Sequence, residues 1–186
     1  MLAPAPEWVH TPGMHTVSQH NSLSDGEALS FGGLLWPRPY FPTRVERAAL
    51  VHSVLPAWAT PSGTTAAWIW TGMGLPTPLT VLRPSSPAIS PLVRQYWKAR
   101  ELLGNRHQVT TVGGYTVLDP LSTERDLFTH DDSIDSCATQ ILFLRALTHP
   151  SLPQSALRLS PVQRERMAFI EEKVAHLQRR YPDITR

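Results

Sequence analysis

A chain of 186 residues with 41% hydrophobic side chains can build one domain with a core, and its 17% of charged residues is low for such a domain. No apolar run approaches the roughly 18 residues of a membrane span. The start, Met1-Leu2-Ala3-Pro4-Ala5-Pro6-Glu7, has neither the basic nor the apolar region of a secretory signal, so a cytoplasmic location without membrane contact is expected. The single cysteine, Cys137, excludes an internal disulfide framework and a cysteine zinc cluster.

Residues 1–42 are interrupted by proline and glycine and keep no apolar period, which predicts an extended or poorly ordered N-terminal arm before one α+β domain over 43–186. Arg44 to Val54 reads as a helix stopped by Pro56, with Val45, Leu50 or Ala49, and Val54 near one face. A short helix follows, with Ser62 or Thr64 placed to cap it and Gly72 to end it. Leu79 to Arg83 is β-rich between prolines and reads as a strand. The segment 91–103 is open between helix and strand: Pro91 and Gly104 punctuate a helix, whereas Tyr96-Trp97 suits a strand. Gln108–Val112 and Tyr115–Leu118, joined by Gly113-Gly114, carry the clearest hairpin signal.

Pro120 to Phe128 and Ile134 to Leu147 are expected helices, the second with Cys137, Ile141, Leu144 and Leu147 at helical spacing. The last helix is announced by a capping box, Ser160-Pro161-Val162-Gln163. Met167, Ile170, Val174, Leu177 and Tyr181 then form an apolar stripe, and Arg164, Arg166, Lys173, Arg179 and Arg180 occupy its other faces. The fold class expected is therefore a small mixed or antiparallel sheet with packed helices and a long C-terminal amphipathic helix.

Charge is unevenly placed. Asp119 to Asp135 holds six acids against Arg125 alone, and from Ser151 onward seven basic residues face four acids. His130, Asp131, Asp132 and Asp135 have the atoms for a metal, but they lack the alternation and glycine of a calcium loop. Capping of the next helix by Asp131, Asp132 or Ser133 is the simpler use. His10, His15 and His20 lie on the arm. No phosphate-binding glycine loop and no Gly-x-Ser-x-Gly elbow occurs, so no cofactor is implied. Asp119 and Asp126, near the hairpin, are the pair a metal-dependent nuclease or nucleotidyl-type enzyme would use, although only Lys98 and Lys173 are available to steady charge. Trp68 and Trp70, two apart on a helix, place one ring off the core face unless a second layer covers it.

Two stretches carry a family resemblance. Ser62-Gly63-Thr64-Thr65-Ala66-Ala67-Trp68-Ile69-Trp70-Thr71-Gly72 resembles a segment of actinobacterial AbiEi-family proteins, antitoxin or transcriptional-regulator components of type IV toxin–antitoxin systems. Gly113 to Leu127, reading Gly-Gly-Tyr-Thr-Val-Leu-Asp-Pro-Leu-Ser-Thr-Glu-Arg-Asp-Leu, is similar to a second one. The likeness spans about residues 44–130. Family members usually begin with a DNA-binding winged helix, for which the forty or so residues here are too few. The resemblance therefore implies the companion domain: a non-enzymatic regulatory or binding protein whose partner is DNA or a cognate toxin-like protein. On that reading Thr123 and Asp126 cap and anchor the helix after the hairpin. The basic residues of the last helix are its expected phosphate contacts, and its apolar stripe offers a route to self-association.

Overall fold

Residues 28–31, 34–37, 43–84, 97–101, 107–129, 133–148 and 159–185 are described by a computed structural model. On them the α+β expectation holds, with a mixed sheet and a long C-terminal helix. Strands β1 (Ala28–Phe31) and β2 (Leu34–Pro37) pair antiparallel within the segment expected as an arm. Helix α1 (Arg44–Val54) starts at Thr43 through a capping box: Glu46 N donates to Thr43 Oγ1 at 3.2 Å and Thr43 N to Glu46 Oε2 at 3.1 Å. Strand β3 (Thr60–Pro61) leads into α2 (Gly63–Thr71), which ends at a left-handed Gly72, as its sequence predicts. Ser62 stands at the N-cap position but its side chain makes no capping bond. Instead Ser62 N donates to Thr80 O, and Thr80 N donates to Thr65 Oγ1. Tertiary pairing with the neighbouring strand has replaced the local cap.

Strand β4 (Leu79–Arg83) pairs antiparallel with β3 and parallel with β5 (Trp97–Glu101). The ambiguous segment is thus a strand over 97–101, while 91–96 and 102–103 lie outside the described residues. Period two explains the outcome, because Trp97 and Ala99 pack on the core and Lys98 and Arg100 alternate with them. Strands β6 (Val109–Val112) and β7 (Tyr115–Leu118) form the expected hairpin. Gly113 and Gly114 have φ of 59° and 90°, the two positive values that a type I′ turn requires. Helices α3 (Pro120–Thr129), α4 (Ile134–Thr148) and α5 (Pro161–Arg180) follow, α5 beginning at the capping box on Ser160.

Two hydrophobic clusters meet at α2. One joins α1, α2, β4 and the β6–β7 hairpin around Val51, Ile69, Val81 and Val117. The other joins α3, α4 and α5 around Phe128, Ile141 and Ile170, and takes Ala67 from α2. This double coverage settles the tryptophan pair. Trp68 is buried, and Trp70 packs on the first cluster while its Nε1 donates to Leu118 O at 2.9 Å. Neither ring is left over as a contact surface. Three stripe residues depart from expectation: Val45, Leu147 and Tyr181 are exposed. Leu147 and Tyr181 stand near the ends of their helices.

Val45 nevertheless has a role, since a Cβ added to Gly113 would stand 2.5 Å from its Cγ1, whereas one on Gly114 would meet nothing within 4 Å. Gly114→Ala is therefore expected to cost only the left-handed strain, about 1–2 kcal/mol. Gly113→Ala adds overpacking of about 1–3 kcal/mol to that strain. Urea unfolding of the two variants checks the order; equal losses would show that Val45 gives way freely.

Candidate functional site

Helix α2 is short, apolar and enclosed, so the unpaired groups at its ends must be satisfied by protein rather than water. At its C-terminal end the buried Arg47 of α1 reaches in: Nε donates to Ile69 O at 3.0 Å and Nη2 to Trp70 O at 3.4 Å. Burial lowers the Arg47 pKa from its ordinary value, with Arg44 adding to the effect, yet a guanidinium keeps its charge in proteins. That charge lies at the negative end of the helix dipole. At the other end stands the carboxylate of Asp126, itself fully buried. Its Oδ2 would lie 3.2 Å from a Cβ on Gly63, whose φ is +46°. Arg100 Nη1 lies 3.3 Å from the same oxygen. Asp126 thus ties α3 to β5 beside the positive end of α2.

A second charged group clamps the three C-terminal helices. Arg145 of α4 donates from Nε to Glu124 Oε1 at 2.7 Å, and from Nη1 and Nη2 to both oxygens of Glu171 at 3.0 and 2.7 Å. Glu124 is fully buried, and its Oε2 has no hydrogen-bond partner among the described residues. Burial pushes the Glu124 carboxyl above its ordinary value; Arg145 opposes this and the negative charge of Glu171 reinforces it. Arg145 is shifted upward, the two carboxylates outweighing its own desolvation. One cation between two acids leaves the group one negative charge in excess.

The acids named from sequence are now placed. Asp119 caps α3, its Oδ1 accepting from Ser122 N at 2.6 Å and its backbone oxygen accepting from Thr123 N at 2.8 Å. Thr123 Oγ1 donates to that same backbone oxygen at 2.7 Å. Anchoring thus falls to Thr123 and Asp126, and capping to Asp119. Asp135 pairs with Lys173 at 3.0 Å, with both side chains more than half exposed. His10, His15, His20, His130, Asp131 and Asp132 lie outside the described residues. Among the described residues no three His, Cys, Asp or Glu side chains converge as a metal site would require. Cys137 is buried in the second cluster.

On α5 the basic residues do not share one face. Residues seven apart return to within about 20° of the same side, about 10 Å along the axis. Arg166, Lys173 and Arg180 therefore form one row, Arg164 lies about half a turn away, and Arg179 about a third. The outermost surface carries Glu165, Phe169, Glu172 and His176, with Phe169 half exposed. A dent of about 420 Å³ beside it is lined by Ile134, Asp135, Phe169, Lys173, His176 and Arg179, among others. Sequence reasoning missed Arg47, Arg100, Glu124 and Arg145. Each takes its importance from a partner at least 20 residues away, which no local spacing announces.

The chain matches no protein-family model, and no curated protein and no solved structure is significantly similar to it. No described helix is long and apolar enough to cross a membrane.

Arg145→Ala strands Glu124 in the interior and is expected to cost about 3–5 kcal/mol. Glu124 also fixes a pH dependence. Its folded-state pKa is raised, so above about pH 4.5 the folded state holds a proton that the unfolded state has released, and stability falls as pH rises through that window. Denaturant unfolding of the wild type and Glu124→Gln at pH 4.5 and 7.5 should show the wild type losing ground to the variant at the higher pH. A gain would reverse the assignment.

Proposed function

We propose that this is a non-enzymatic regulatory or binding protein, similar to the companion domain of AbiEi-type antitoxins, acting in the cytoplasm. Its proposed contact is with a nucleic-acid backbone along one side of α5. The carrying observation is Lys173 and Arg180, which stand about 10 Å apart on one side of a 20-residue helix, whereas Arg166 in the same row turns inward and donates from Nη2 to Cys137 Sγ at 3.5 Å. Among the described residues Lys173 pairs with the exposed Asp135, a pairing worth little in water and one a phosphate can replace. Arg180 stacks over the ring of Tyr181 at 5.5 Å, which keeps its guanidinium at the helix end. Asp119 and Asp126, the carboxylates a metal-dependent nuclease or nucleotidyl-type enzyme would need, are engaged in a helix cap and an ion pair. That alternative therefore has less support.

A protein partner, including a second copy of the chain or a toxin-like protein, has its own observation. Phe169 and Val162 are 51% and 74% exposed on the outer side of the same helix. Tyr181 suits such a contact, whereas Leu177 packs against the second cluster and is needed by the fold.

Mobility shift on duplex DNA across a salt series separates these readings. Two phosphate contacts predict a slope of log Kobs on log salt near −2, falling toward zero in the Lys173→Glu/Arg180→Glu variant. Absence of binding at low salt overturns the nucleic-acid reading. Self-association lost on Phe169→Glu would favour the partner reading. A thermal shift with Mg²⁺ or Mn²⁺ that Asp119→Asn abolishes would favour the enzyme.

A further inference from the structure

Helix α5 carries a second repeat on the side away from its own core. Met167, Ile170 and Val174 are buried in the second cluster, whereas Val162, Glu165, Phe169, Glu172, His176 and Arg179 are all exposed. The exposed six are spaced three, four, three, four and three residues apart, the alternation of a coiled-coil seam. Packing α5 on its own domain uses only the buried stripe.

The charges on this seam are divided along its length. Glu165 and Glu172 come first, His176 and Arg179 last, and among the described residues none of the four enters an ion pair. Such a sequence is its own complement when reversed. A two-fold axis between Ile170 and Glu171 sets Glu165 opposite His176 of the second copy, within one turn of its Arg179, and Phe169 opposite its Glu172. A parallel pair would instead set Glu165 against Glu165 and Arg179 against Arg179.

Shape agrees with charge. Phe169 is 51% exposed, and the dent of about 420 Å³ beside it is lined by Ile134, Glu172, Lys173 and His176 among others. In the antiparallel pair each Phe169 stands opposite Glu172, at the mouth of the other copy's dent. On one flank of the seam Ala168 and Ala175 are small enough to let two helices approach closely. On the other flank Lys173 turns to Asp135 and Arg166 to Cys137, both on α4 of the same chain, which draws these cations back from their counterparts.

We propose that α5 pairs antiparallel with α5 of a second copy, each Phe169 seated in the other's dent and each Glu165 facing His176 and Arg179. The proposal rests on the protein-partner reading of this helix and fixes its occupant. Lys173 and Arg180 stay on one flank of the pair, so contact with nucleic acid is neither required nor blocked.

Sedimentation velocity of the full chain without nucleic acid, from micromolar to near-millimolar concentration, tests it. A reversible monomer–dimer equilibrium is expected, weakened about tenfold or more by Phe169→Ala. Glu165→Arg and Arg179→Glu should each weaken it, and the double variant, which exchanges the two ends of the pattern, should restore most of the affinity. Glu172→Gln removes the like charges nearest the axis and should tighten the dimer. Glu165→Cys/His176→Cys should form a covalent dimer on mild oxidation while neither single variant does, because like positions stand about 16 Å apart along the pair. All these positions are exposed, so the circular dichroism spectrum should not change. A monomer at every concentration overturns the proposal, as does a dimer indifferent to Phe169→Ala. A double charge variant no better than the singles overturns the antiparallel arrangement. Mobility shift of Phe169→Ala, with Lys173 and Arg180 intact, reads the nucleic-acid contact separately.

Discussion

Everything in this fold is arranged around the burial of α2. A nine-residue helix with apolar side chains on all sides cannot hold its own ends in water, so other elements must bring donors and acceptors to it. Arg47 supplies the donors at the C-terminal end, and Thr80 supplies much of the polar pairing at the other. Asp126 adds a negative charge where the dipole favours one. Once these are in place, α1, β4, β5 and α3 have fixed positions. The two hydrophobic clusters lie on either side of this helix.

This arrangement explains why charged residues lie in the interior of a chain poor in charge. Arg100 with Asp126, and Arg145 with Glu124 and Glu171, are costly to desolvate and are weak as sources of net stability. Their value is positional. Arg145 contacts α3 and α5 from α4, so a rotation of any one helix about its axis would break a charged hydrogen bond. Apolar side chains alone would tolerate several packings of three amphipathic helices, whereas the guanidinium fork accepts few.

Local features were legible in the sequence because local physics produces them. The Ser160 capping box, the Gly72 terminus and the Gly113-Gly114 turn each depend on residues within a few positions of one another. Their recurrence in the fold needs no tertiary information. The failures share the opposite property. Ser62 lost its capping bond to a strand 18 residues away, and the tryptophan pair was resolved by a second cluster made of helices beyond residue 120. Leu147 and Tyr181 fit the helical period of their stripes but are exposed near the helix ends. Periodicity states which face a residue occupies and says nothing of how far the covering layer extends.

The same distinction governs the candidate sites. Acid clustering between Asp119 and Asp135 is a property of the sequence, yet the fold disperses it. Asp119 goes to a helix start, Glu124 to a clamp, Asp126 to the end of α2 and Asp135 to α5. A recess of about 370 Å³ lined by Thr64, Lys98, Ser133 and Gln140 shows the converse, because these residues have no proximity in the chain and none is notable alone. What joins them is the topology of two helix starts directed at one strand edge. Asp126 stays at the start of α2, where it offsets the positive end of that helix, while Asp135 faces Lys173.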